Sequence, residues 1–286
     1  MNSKRGFTLV ELLVVLAIIS ILATIVVPNV AEYLRKAQAT RAVSEINSME
    51  TAFTKMVGDA NRTELSQLLN PAGVAPVLLN AYLTDGSGAP TSGTAVPETA
   101  AQFRTATQVY TNIYYALLRD GRGLLDGSAN DPQYNFQYRS VIDQNAARRL
   151  GIGYLDIGFD PWENLYQIWP GPWPSRVQPI PFRTFAQPGA DNLPGRQSGG
   201  DLLTTNYVDP DTGDSFQAGF PAPRNKPVFI WSFGANTVTG QALYSASGYP
   251  APPATNYDQN QDPEFIAGGD DINNWDPART WERFYN

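Results

Sequence analysis

From Phe7 to Val27 the chain is a mostly apolar run with a single charge, Glu11, and a run of that kind restricts where the rest of the protein can be. At about 1.5 Å per residue, a helix over it spans the roughly 30 Å hydrocarbon core of a bilayer. In front stands a short polar leader, Met1 to Gly6, with Lys4 and Arg5. Basic flanks stay on the cytoplasmic side, which puts everything after Val27 on the outer face. A secretory signal peptide has a shorter apolar core and a small-residue cleavage site, whereas here Pro28 follows the run. Glu11 is the anomaly. An ionised carboxylate within a membrane helix costs about 2.5 kcal/mol or more, so it demands a partner. Cleavage between Gly6 and Phe7 would supply one, because the new α-amino group lies about one helical turn before Glu11. In an assembly that amine could belong to a neighbouring copy. An ordinary signal anchor with an incidental glutamate is the plain alternative, and the energetic penalty argues against it.

Helical spacing resumes beyond Pro28 with Val30, Leu34 and Ala37, then Val43, Ile46, Met49, Phe53 and Val57, and Gly58 reads as the stop. A helix from Phe7 to Val57 is roughly 75 Å long, so its second half is expected to pack its apolar stripe on a head. Pro28 lacks a backbone donor and is expected to kink or locally melt the helix where it leaves the membrane. The expected organisation is a leader over 1–6, a membrane and filament-core half of the helix over 7–28, an amphipathic half over 29–58 and a globular head over 59–286.

Within the head, 59–159 reads as helical insertions. Thr63 to Leu69 predicts a short helix ended by Asn70-Pro71. Glu98 to Arg119 carries Phe103, Ala106, Val109, Ile113 and Leu117 at helical spacing. Ser140 followed by Asp143, with Gly151 behind, predicts a capped helix of about ten residues. Gly86 to Pro97 reads as a loop. The 160–286 part reads as strand and loop, with Leu165 to Trp169 and Val228 to Phe233 as the best strands and a long stretch rich in proline, glycine and aromatics between them.

Composition prunes the chemistry. With no cysteine and no histidine, Ser-His-Asp and Cys-His triads, imidazole or thiolate zinc sites and disulfides are excluded. Carboxylate, Lys, Tyr and hard-cation chemistry remain. A net charge of −7 argues against a nucleic-acid partner, and losing Lys4 and Arg5 would take it to −9. Asp209, Asp211 and Asp214, and separately Asp258, Asn260 and Asp262, alternate like calcium loops but lack the full EF-hand pattern, so they read as solvated turns. The six tryptophans read as packing residues, with a glycan-binding face as the alternative.

The segment Lys4-Arg5-Gly6-Phe7-Thr8-Leu9-Val10-Glu11-Leu12 resembles the prepilin signal of type IV pilins and type II secretion pseudopilins. The resemblance implies that a prepilin peptidase cuts after Gly6, that Phe7 becomes the methylated first residue and that Glu11 serves subunit docking. Three later segments resemble the G-type major pseudopilin: Asp160-Pro161-Trp162-Glu163-Asn164-Leu165-Tyr166-Gln167 is similar to its Asp-Pro-Trp-Gly-Asn-Pro-Tyr, Trp231-Ser232-Phe233-Gly234-Ala235-Asn236 to its Tyr-Ser-x-Gly-Ala-Asp, and Asp270-Asp271-Ile272-Asn273-Asn274-Trp275 to its Asp-Asp-Ile-x-Asn-Trp.

The implied fold is α+β, a pilin-like lollipop whose long N-terminal helix packs on an antiparallel sheet with large loop and helix insertions. The resemblance also implies one Ca2+ ion held by the last two segments, with Asn236, Asp270 and Asp271 as the ligand candidates; an oxygen-only donor set suits that hard cation. Asn236 replaces the usual aspartate, which removes one negative charge. The implied partners are other copies of the chain in a helical polymer, prepilin peptidase, an inner-membrane assembly platform with its ATPase, other minor pilins or pseudopilins and, before assembly, the membrane. The implied location is the inner membrane in a single pass, then a periplasmic pseudopilus. The alternatives are an extracellular type IV pilus subunit for adhesion, motility or DNA uptake, and more remotely a membrane-tethered hydrolase using two carboxylates.

Overall fold

A computed structural model describes residues 9–91, 93–97, 100–171, 205–208, 215–218, 226–234, 272–276, 279, 281–282 and 285. One α-helix, α1 (Leu9–Asp59, 51 residues), dominates it, and at 1.5 Å per residue it is about 77 Å long. The backbone is helical through Pro28, so the helix does not melt there; a proline kink is compatible with a continuous helix.

Burial along α1 begins later than the apolar pattern implied. Val30 and Leu34 are exposed, and the buried stripe starts at Ala39 and continues through Ala42, Ile46, Met49, Phe53 and Met56. These recur every three or four residues, so they form the single face that meets the rest of the molecule.

After α1 a one-turn 3-10 helix (Leu65–Leu68) leads directly into α2 (Pro71–Thr84). Pro71, read from the sequence as a stop, occupies the first turn of this next helix, where its missing N–H costs nothing. Then α3 (Ala100–Asp120) buries Ala106, Val109, Ile113 and Leu117 as their spacing predicted. The capped helix expected from Ser140 is split. A single turn, α4 (Tyr138–Val141), stops at Ile142, which is extended and bridges to Leu69. Asp143 then caps another single turn, α5 (Gln144–Ala147), by accepting from the Asn145 and Ala146 N–H groups. Pairing with Leu69 holds Ile142 extended and so interrupts what would be one longer helix.

The strands are β1 (Gln167–Pro170), β2 (Thr205–Val208), β3 (Ser215–Ala218), β4 (Val228–Ser232) and β5 (Ile272–Asn273). One antiparallel sheet has the order β1-β4-β5, and β2 and β3 form a separate antiparallel pair. Asp209, Asp211 and Asp214, like Asp258, Asn260 and Asp262, lie outside the described residues. The buried side of α1 packs on β4 and β5, while α3 packs on β1. At the end of β1, a Cβ on Gly171 would sit 2.0 Å from the Lys226 carbonyl oxygen, so only glycine allows this close approach.

Edge strand β1 is covered by α3 through side-chain hydroxyls. The Tyr166 N–H donates to the Tyr115 hydroxyl at 2.9 Å, and the Ile168 N–H to Thr111 Oγ1 at 3.0 Å. Four residues of helix advance about 6.0 Å and two residues of strand about 6.6 Å, so acceptors at i and i+4 match alternate strand donors. Among the described tryptophans, Trp169, Trp231, Trp275 and Trp281 are buried and Trp162 is half-buried, so the packing reading holds for them. Trp173 lies outside the described residues.

Candidate functional site

Two regions carry the candidate functions, the start of α1 and the place where the three C-terminal segments meet. At the start of α1, Glu11 lies in the first described turn with an exposed side chain, where a carboxylate complements the helix dipole. Gly6 and Phe7 lie outside the described residues. Leu9, Val10, Leu12, Leu13, Leu16, Ile18, Ile19, Ile21 and Leu22 are all exposed. The polar groups interleaved with them are satisfied by the helix itself: the Ser20 hydroxyl donates to the Leu16 carbonyl at 2.8 Å and the Thr24 hydroxyl to the Ile21 carbonyl at 2.7 Å. The segment therefore offers an apolar surface all round. Among the described residues no helix is long and apolar enough to cross a membrane. Side chains there are described without interruption only over 9–24, about 24 Å of helix, and the apolar run in the sequence extends to both sides of that stretch.

In the head, the segment from Asp160 to Gln167 docks on the end of β4. Asp160 is 3% exposed. One carboxylate oxygen accepts from the Trp162 and Asn164 N–H groups at 3.0 and 2.8 Å, which closes a tight turn. The other accepts from the Ser232 hydroxyl at 2.6 Å, and Ser232 Oγ in turn accepts from the Gly234 N–H at 3.1 Å. Burial pushes the Asp160 carboxyl above its ordinary range, while the bonds from Ser232, Asn164 and Trp162 oppose that shift. Within the turn, Glu163 holds a positive φ of 68°.

The third segment is tied to α1. Asn274 Nδ2 donates to the Glu50 carboxylate at 3.1 Å and to the Val228 carbonyl at 3.0 Å, while its Oδ1 accepts from the Ile230 N–H at 3.1 Å. The other Glu50 oxygen pairs with Lys226 at 2.9 Å. Trp275 packs edge-on against Phe229 and Trp231, with ring centroids 5.6 and 6.0 Å away. The Tyr166 hydroxyl reaches back to Glu45 at 2.5 Å, and burial together with that carboxylate raises the phenol far above its ordinary range. Thus Glu45 and Glu50, on the amphipathic half of α1, each anchor a segment of the head. Nothing in the chain marks these anchors beyond the acid residues themselves, because each partner is more than a hundred residues away.

Asn236, Asp270 and Asp271 lie outside the described residues, and among the described residues no three acidic side chains gather as a metal site. Ser232 pairs with Ile272, so the last residue of β4 lies beside the first residue of β5.

The comparisons with known proteins bear on the start of α1. Residues 1–27 match the family described as the prokaryotic N-terminal methylation motif. The N-terminus carries the methylation motif of type IV pilins. Consistent with this pilin-like start, the chain is 36% identical over 88 residues to a fimbrial protein of Pseudomonas aeruginosa, covering 31% of this chain and 57% of that protein. Over 70 residues it is 40% identical to fimbrial protein Q of Moraxella bovis, covering 24% of this chain and 45% of the relative. It is 46% identical over 88 residues to the type II secretion system core protein G of Pectobacterium carotovorum subsp. carotovorum, covering 29% and 56%. The chain thus spans about half the length of the curated relatives it matches. No solved structure matches.

Proposed function

We propose that this chain is a structural subunit of a type IV pilus-like filament, a pseudopilin of a type II secretion system rather than an enzyme. In this reading prepilin peptidase removes residues 1–6, Phe7 becomes the methylated N-terminus, and the Phe7 amine neutralises Glu11 of a neighbouring copy as the helices bundle. Before assembly the helix crosses the inner membrane once, with the head on the periplasmic side, and a membrane platform with its ATPase extracts it into a helical polymer with other copies and minor pseudopilins. The head on its long helix then has the lollipop form of a pilin. The observation that carries the reading is a carboxylate near the start of a largely apolar, all-round exposed helical segment within the methylation motif.

The pseudopilin form is favoured by the Asp160–Ser232 bond, which joins two of the three segments that resemble the G-type pseudopilin, together with the β4–β5 pairing that brings in the third. In this reading Asn236, Asp270 and Asp271 hold a Ca2+ ion, whose preference for oxygen ligands their donor set suits; the ion would pin the C-terminal loops. The second reading, an extracellular pilus subunit, is favoured by the similarity to fimbrial proteins. Electron microscopy of surface and periplasmic fractions separates them. Filaments of this chain confined to the periplasm support the pseudopilin, surface filaments support the pilus, and a chain that keeps its first six residues and never polymerises removes both.

A further inference from the structure

The amphipathic half of α1 presents one carboxylate to two nitrogens of different kinds. Glu50 Oε1 holds the Lys226 ammonium at 2.9 Å, and its other oxygen accepts from the Asn274 side-chain amide at 3.1 Å. A primary amine, a carboxamide and an acid that touches both are the parts of an amide-exchange reaction. They supply a nucleophile, a carbonyl carbon with a nitrogen leaving group, and a proton relay between the two.

The remaining contacts hold these parts in place. The Asn274 side chain continues the β4–β5 ladder: its Oδ1 accepts from the Ile230 N–H at 3.1 Å and its Nδ2 donates to the Val228 carbonyl at 3.0 Å, while the Asn274 backbone N–H donates to the Ile230 carbonyl at 3.1 Å. The Ile230 N–H is therefore aimed at the oxygen that gains negative charge when an amine adds to Cγ, where a fixed donor stabilises the tetrahedral intermediate. On the other side, the Lys226 carbonyl lies against Gly171, whose N–H donates to the Pro227 carbonyl at 3.0 Å. The strand on which both residues converge is buried and apolar, with Val228, Phe229 and Ile230 each at most 2% exposed. The Lys226 side chain itself is 19% exposed, against 40% for Lys36, which pairs with Glu32 on the surface. A mostly buried amine thus shares one carboxylate with an amide whose orientation three hydrogen bonds fix, which is the positioning that lowers the entropic cost of their reaction.

We propose that Lys226 and Asn274 become joined by an intramolecular isopeptide bond, made by the folded chain itself with Glu50 as the proton relay. The lysine ammonium gives one proton to Glu50, and the freed Nζ lone pair attacks Cγ of Asn274. Glu50 hands that proton to Nδ2 and takes a second one from Nζ. The Cγ–Nδ2 bond then breaks, the nitrogen departs as ammonia, and Glu50 gives it the second proton. A lysine ammonium and a primary amide become a secondary amide and an ammonium ion, so atoms and charge balance and nothing is oxidised or reduced. The product ties the approach to β4 to the segment after β5 and closes a loop over 226–274, which restricts the unfolded chain. It stands independently of the filament reading.

Intact-mass spectrometry of the purified full chain tests the bond. The parent is expected to be lighter by one ammonia than its sequence requires, after allowance for N-terminal processing. Lys226→Arg and Glu50→Gln are expected to keep their full calculated masses, since arginine retains the positive charge but stays protonated and is no nucleophile. A protease that cuts between the two positions should release them in one branched peptide from the parent and as two separate peptides from either variant. A parent at its full calculated mass overturns the bond, whether or not the variants fold. A deficit that persists in Lys226→Arg, or that maps to another residue, places the ammonia loss elsewhere and overturns it too.

Discussion

The Asp160 carboxylate accepts a 2.6 Å hydrogen bond from the Ser232 hydroxyl, 72 residues further along the chain. With its other oxygen it closes its own turn, so a single buried acid fixes the shape of the segment leading into β1 and its seat against the end of β4. Loss of that group would leave three donors facing a buried space.

Asp160→Ala is therefore expected to destabilise the head by about 2–4 kcal/mol, as unpaired buried donors do, with Asp160→Asn between it and the parent. The pH dependence has a definite sign. The folded carboxyl is raised above its ordinary 3.8, so between those two values the native state binds the proton that the unfolded chain has released. Stability from this group is present below pH 3.8 and is lost as pH rises through the folded value. Thermal melts across the carboxylate range should show the parent losing stability relative to Asp160→Asn as pH increases, and parallel curves would contradict the assignment.

Glu163 sits at φ 68° where the pseudopilin stretch it resembles carries glycine. A non-glycine side chain pays about 1–2 kcal/mol in the left-handed region, partly offset by the greater freedom of glycine in the unfolded chain. Glu163→Gly should raise the urea midpoint by the equivalent of up to about 1 kcal/mol, and Glu163→Val should lower it, because branching at Cβ makes that conformation worse.

Thr111 is almost wholly buried and its hydroxyl receives the Ile168 N–H. Thr111→Val keeps the volume and removes the acceptor, which should cost about 1–3 kcal/mol in chemical denaturation. Thr111→Ser keeps the acceptor and should lose less than the valine variant, whereas the reverse order would show that packing, not the hydrogen bond, decides.

Glu11→Ala is expected to leave the protein processed at Gly6 and membrane-bound while filament yield falls sharply, because the terminal amine then enters the bundle without its counter-charge. Mass spectrometry of the N-terminus and sedimentation of sheared filaments read the two properties separately. Normal yield would remove the docking role.

For the proposed cation, chelation should lower the melting temperature of the head and added Ca2+ should restore it, with Mg2+ less effective because it dehydrates reluctantly. Asp271→Asn should reduce the response. Identical transitions with and without calcium would show that no such ion pins the C-terminal loops.

Three parts of the molecule are legible in the amino-acid sequence, for a shared reason. The apolar run with Glu11, the long helix and the face of α3 are local or periodic: each is written in residues within one or two turns of one another, so composition and helical spacing record them directly. The same logic finds β1 and β4 as short apolar runs. It fails at Pro71, where one proline both ends a turn and begins a helix, and at Ile142, which strand-like pairing with Leu69 holds extended inside a helical pattern. It also misjudges Val30 and Leu34, since apolar spacing shows which face a helix can bury but not where its partner begins.

What the chain alone determined is an apolar N-terminal helix with a single acid near its start and a short polar segment with Lys4 and Arg5 in front of it. Only the tertiary structure decided that Glu45 and Glu50 of that helix hold the head through Tyr166, Lys226 and Asn274, that Asp160 locks onto Ser232, and that hydroxyls of α3 cover the edge of β1. Each of those bonds joins groups far apart in the chain, and a buried donor selects its acceptor by position in space, which no local spacing records.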